Sequence, residues 1–130
     1  MEPNRYESGL VKLLEIDGVS GKNVMESLKD IAPDLGRYIV EFAFGDIYNR
    51  EGLNLQEREL ITIASLLTAG GCEPQLEVHI NGALNVGISA EKIIEAFLHC
   101  IPYTGFPKVL NAVTVAKKVF ASRHIVVKQP

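Results

Sequence analysis

Apolar positions along the chain recur at helical spacing, and the breaks between them carry helix punctuation rather than strand alternation. The stretch "SGKNVMESLKDIA" predicts a first helix from about Asn23. "PDLGRYIVEFAFGDIYN" places Pro33 in a first turn and brings Leu35, Ile39, Phe42 and Phe44 to a wide apolar face. In "NLQERELITIASLLTAGG", Asn54 with Glu57 three residues on predicts a capping box, and Gly70-Gly71 a stop. Between Leu60 and Leu67 this helix is apolar on nearly every side, which predicts a central, buried position. The next helix opens at Pro74, carries Leu76, Ile80, Ala83 and Leu84 as its stripe, and ends at Gly87. A fifth is capped by Ser89 and halted near Pro102. The last opens on Pro107, with Val109, Leu110, Val113, Ala116 and Phe120 at helical spacing, and "HIVVKQP" follows as a short tail.

No strand pattern, internal repeat or low-complexity linker interrupts this series. The expectation is one all-α domain over residues 1–130, a bundle of about six helices. A chain of this length buries about two thirds of its unfolded surface and needs no staple. Hydrophobic residues make up 47% of the chain, more than one small bundle hides, so contacts between copies are expected as well.

Composition narrows the function by exclusion. Cys72 and Cys100 are the two cysteines, without a CxxC pair or a Cys/His cluster at zinc spacing. Neither a disulfide framework nor a structural metal is indicated, and reduced thiols in a cytoplasm fit. The start lacks a basic segment leading into an apolar core, and no apolar run is long enough to span a bilayer. With a net charge of -3 and scattered basic residues, no electrostatic footprint for nucleic acid exists. Small molecules or protein partners are expected instead.

Candidate chemistry gathers in "ERELITIASLLTAGGCEPQLEVH", residues 57 to 79. Glu59 stands one and two turns before Ile63 and Leu66, where an apolar surround would make its carboxylate a general acid or base; the alternative is a solvated acid favoured near a helix N-terminus. His79 lies beside the Leu76, Ile80 and Ala83 stripe, suited to proton transfer or to a boundary hydrogen bond. Cys72 precedes the helix opened by Pro74 and is a candidate thiol or a small buried hydrophobe. Cys100 reads as core. Glu95, His99 and Tyr103, spaced one turn apart, form a polar relay or an outer face. Arg58 shares the polar side of its helix with Thr62 and Ser65 and could pair with an anionic substrate, with Glu57 or with solvent.

The segments "FAFGDIYNREGLNLQERELITIA" and "PQLEVHINGALNVGISAEKIIEAFLHCIPYTGFPKVLNAV" resemble the carboxymuconolactone decarboxylase family of the alkylhydroperoxidase D-like superfamily, over nearly the whole chain. The resemblance implies a helical subunit in a symmetric homo-oligomer, a hexamer built as a trimer of dimers, with pockets near subunit contacts. It implies cofactor-free, metal-free decarboxylation of 4-carboxymuconolactone to an enol-lactone, or chemistry on a related lactone or oxo-acid. The site must then stabilise a dienolate and protonate carbon, which assigns His79 and Glu59 as the proton-transfer pair, with Arg58 and Tyr103 as candidate substrate contacts. Arg5, Lys12, Arg37 and Lys108 are further cations for a substrate bearing carboxylates. The peroxide-reducing branch carries a CxxC in the same helix pair; here Cys72 takes the first position and Gln75 the second, so a two-cysteine cycle lacks its resolving thiol. A one-cysteine thiol reaction and a non-enzymatic oligomeric binding protein stand as the alternatives.

Overall fold

A computed structural model describes residues 3–129. The described residues are helical, without a strand, as the punctuation predicts. They group into two compact units, Met1–Leu55 and Gln56–Pro130.

The first unit holds α1 (Arg5–Leu28) and α2 (Pro33–Tyr38), the latter continuing into a π-helical segment, Ile39–Tyr48. Helix α1 starts far ahead of the expected Asn23. Asn4 and Glu7 form a reciprocal capping box, the Asn4 side chain accepting from the Glu7 N–H at 2.8 Å. Gly18, at φ 53 and ψ -127, kinks the helix, and the expected helix corresponds to its second arm. The first arm crosses the π segment at two glycines. A Cβ on Gly9 would overlap the Val40 carbonyl, and one on Gly45 would lie 2.7 Å from the Arg5 carbonyl oxygen. Arg5 fastens the same crossing with two bonds to Asp46, at 2.9 and 2.7 Å.

In the π segment each N–H reaches back five residues rather than four, which rotates later side chains off an α-helical wheel. The expected face divides for a simpler reason: Phe42 and Phe44 are two residues, about 200°, apart, so Phe44 joins the buried Gly36 and Val40 while Leu35 and Phe42 are exposed. Phe44 stacks on Tyr48, with ring centroids 4.9 Å apart.

The second unit comprises α3 (Leu55–Ala69), α4 (Glu73–Asn85), α5 (Ala90–Thr104) and α6 (Phe106–Ser122). Its core is drawn from all four: Ile63 and Leu67 on α3, Leu76 and Ile80 on α4, Ile93 and Phe97 on α5, Val109 and Val119 on α6. Helix α3 is less enclosed than expected, because Ile61 remains 53% exposed. Prolines open α4 and α6, where a missing N–H costs nothing and φ is already set. Helix α4 closes in a Schellman motif: Gly87, at φ 96, donates to Leu84 O, and Ile88 donates to Ala83 O at 3.0 Å. Ser89 caps α5 through the Lys92 N–H at 3.1 Å. This helix runs two residues past Pro102 and stops at Gly105, whose φ of 92 ends it.

The tail folds back instead of trailing away. His124 adopts φ 57, Ile125 donates to Phe120 O, and Ile125 and Val127 pack against the core. Glu91 on α5 then accepts the Lys128 N–H at 2.7 Å.

Candidate active site: a histidine held on a buried carboxylate

Helices α3 and α4 form an antiparallel hairpin about the Gly70-Gly71 turn, where φ is 72 and 71 at the two glycines. At the open end of the hairpin, the Gln56 side chain donates to Val86 O at 3.0 Å. At the turn, Lys108 from α6 donates to Thr68 O at 2.9 Å, satisfying a carbonyl at the C-terminal end of α3. The hairpin is thus fastened at both ends, and its middle carries the chemistry.

The buried positions of α3 are Glu59, Ile63 and Leu67, a single stripe at i, i+4 and i+8. Glu59 therefore occupies a core position, with 0% exposure. Placing a carboxylate there demands a hydrogen-bonded partner. His79 supplies it from α4: Nδ1 lies 3.1 Å from Glu59 Oε2 and 3.4 Å from Oε1. A carboxylate only accepts, so Nδ1 is the donor. His79 is the outer member of the pair, its side chain 18% exposed.

This arrangement has a definite chemical consequence. With Nδ1 committed to Glu59, the ring is fixed in plane and tautomer, and proton exchange with a bound molecule falls to Nε2. When the ring takes up a second proton, the imidazolium meets the carboxylate in a charge-assisted hydrogen bond. The pair can therefore hold a proton and pass it on.

The remaining sequence candidates lie elsewhere. Cys72 occupies the position before α4, half-buried, its Sγ 3.5 Å from Gly70 O. Cys100 is half-buried against the core, and that burial pushes its thiol up. Arg58 is half-buried on α3 and, as the neighbour of Glu59, points to a different side of the helix. Tyr103 is 79% exposed near the end of α5, its ring against His99 at 5.8 Å rather than at the pair. Arg5 and Arg37 bond to acids of the first unit, and Lys12 pairs with Glu15.

Sequence reasoning misses one group of polar side chains, on the side of α4 away from His79. Glu77, Asn81 and Asn85 follow each other along α4, and Lys118 and Arg123 of α6 bond to them. The i, i+4, i+8 spacing was there to be read, but its partners lie about forty residues away.

Fold and site together define an all-helical protein whose second unit carries a half-buried histidine on a buried carboxylate. The sequence model of the carboxymuconolactone decarboxylase family matches residues 33–118, and the chain belongs to that family. It is 35% identical over 120 residues to the 4-carboxymuconolactone decarboxylase of Acinetobacter baylyi, a match covering 92% of this chain and 89% of that relative. It is also 35% identical over 80 residues to the nitrosuccinic acid decarboxylase npaB of Metarhizium robertsii, covering 62% of this chain and 55% of that protein. The two relatives are named for different acids and for the same loss of carbon dioxide.

Proposed function

We propose that the chain is a decarboxylase acting on 4-carboxymuconolactone or a related lactone or oxo-acid, with His79 as proton carrier and Glu59 as its partner. The observation that carries this reading is the 3.1 Å contact between His79 Nδ1 and a carboxylate wholly removed from solvent. Family membership and the decarboxylase names of both relatives support it.

The reaction asks for little more than a placed proton. As the bond from carbon to the carboxylate breaks, its electron pair moves into the conjugated carbonyl and carbon dioxide leaves. The resulting dienolate is then protonated on carbon by His79 Nε2–H, and solvent returns the proton to the ring. Glu59 stabilises the imidazolium before transfer and keeps Nε2 aimed at the substrate. Arg58, about 100° round α3 from Glu59, is the proposed cation for a substrate carboxylate that reaches past the pair. Tyr103 joins a substrate only where copies of the chain meet.

The proposed assembly is a homo-oligomer, a hexamer arranged as a trimer of dimers. Ile61, Leu98, Phe106 and Leu110 support contacts between copies, since each is at least 45% exposed in the single chain. Among the described residues, no helix is long and apolar enough to cross a membrane. Free cysteines fit the proposed cytoplasmic location.

Ultraviolet-monitored turnover of 4-carboxymuconolactone, with His79→Ala and Cys72→Ser beside the wild type, tests the assignment. Loss of turnover in the first variant and retention in the second is expected. Dependence on Cys72 instead would replace the proton-transfer reading with thiol chemistry, and no turnover by the wild type would retire this substrate.

A further inference from the structure

Helix α4 presents three polar residues at i, i+4 and i+8, and α6 holds every one. Lys118 Nζ lies 3.2 Å from Glu77 Oε1. Arg123 spans the other two: Nη1 donates to Asn81 Oδ1 at 3.0 Å and to the Asn81 carbonyl at 3.3 Å, while Nη2 donates to Asn85 Oδ1 at 3.1 Å. Asn81 is itself oriented, its Nδ2 donating to Glu77 O at 3.1 Å. Asn81 is two residues from His79, about 200° of rotation at 3.6 residues per turn. The clamp and the histidine therefore occupy nearly opposite sides of α4.

We infer that Arg123 is a positioning residue for His79: its guanidinium fork fixes the roll of α4 about its own axis and so keeps Nδ1 on Glu59. This rests on the reading of His79 and Glu59 as the proton-transfer pair. The Leu76, Ile80 and Ala83 stripe sets how deeply α4 sits, but apolar burial is non-directional. A planar fork bonded to two residues one turn apart is directional. Lys118 and Arg123 are both exposed, and what separates them is geometry: the Lys118 ammonium makes one point contact with Glu77, whereas the Arg123 fork spans two residues. Side chains extend roughly 5–6 Å from a helix axis, so a roll of about 10° moves the His79 ring by about 1 Å. Misplacement on that scale costs a reaction about 100-fold.

The test compares wild type, Arg123→Ala, Arg123→Lys and Ser89→Ala. Each is read by kcat and KM for 4-carboxymuconolactone, by Tm, and by the downfield NMR resonance of the His79 Nδ1 proton. Arg123→Ala is expected to lower kcat by about tenfold or more with little change in KM, and to shift or broaden that resonance. Arg123→Lys keeps the charge, cannot span both asparagines, and falls between. Ser89→Ala removes the α5 cap instead; it lowers Tm while leaving the resonance and kcat in place. An Arg123→Ala protein whose resonance is unmoved, or moved only as far as in Ser89→Ala, overturns the inference. If Arg123→Ala does not fold, the same comparison is made on Arg123→Lys. If His79→Ala keeps full turnover, the reading of the pair falls, and the resonance, which needs no substrate, still decides what Arg123 does.

Discussion

Glu59 and Ile63 stand one turn apart on the same buried stripe of α3, both at 0% exposure. A carboxylate thus holds a place that packing alone would assign to a leucine. Replacing both members at once, Glu59→Leu with His79→Leu, should therefore keep or raise Tm while abolishing turnover, since a buried polar pair exchanged as a whole for apolar side chains of similar size is often neutral or stabilising. His79→Ala leaves the carboxylate buried without its partner and should destabilise by about 1–3 kcal/mol. Opposite shifts in Tm from the two inactive variants are the outcome to look for by calorimetry. Equal losses would show that the pair stabilises the fold rather than burdening it.

Gly87 ends α4 at φ 96, with the Gln56 side chain 3.1 Å from where a Cβ would sit. Gly87→Ala should cost about 1–2 kcal/mol from the left-handed backbone alone. Urea unfolding measures it; a variant as stable as wild type would mean that the Schellman turn can relax.

Gly9 has no such freedom to relax, because the atom a Cβ would strike is backbone, the Val40 carbonyl. Gly9→Ala must push α1 off the π segment, and overpacking of this kind costs about 1–3 kcal/mol. Circular dichroism melts against an exposed control such as Val11→Ala separate this from a general loss of stability.

Acid should release the tail. The Lys128 N–H, donated to Glu91, holds that carboxyl below its ordinary value of 4.5. Because the folded value is depressed, the latch contributes fully above the ordinary range and is lost as pH falls through the folded value. Amide exchange at residues 125–128 should accelerate there, and Glu91→Gln should give the same acceleration at neutral pH. Unchanged protection in Glu91→Gln would show that Ile125 and Val127 hold the tail without the latch.

Much of the second unit was legible in the sequence, because its signals are local. Pro74, Gly87, Ser89 and Pro107 mark ends that the structure keeps within two residues. Glu59 and His79 could be singled out by type and spacing, but their contact across the hairpin depends on the Gly70-Gly71 turn, which no pattern measures. The first unit was read less well. The Asn4 and Glu7 capping box has the same signature as the one predicted at Asn54 and Glu57, yet it precedes a stretch with glycines at 9 and 18 that breaks the helical pattern. The apolar face of the next stretch was drawn too wide: Phe42 and Phe44, two residues apart, cannot share one side of a helix, and it is Phe44, four residues after Val40, that faces inward.

The Gly9 and Gly45 crossing sets bare backbone against bare backbone, so the spacing of α1 from the π segment is fixed by main-chain van der Waals contact rather than by a compromise among side chains. Sequence drift elsewhere in the first unit can repack one methyl group against another by small steps. At these two positions no small step exists, and exchange of either residue must await a shift of a whole helix. The crossing is therefore the fixed ruler of its unit, to which every other adjustment there has to conform.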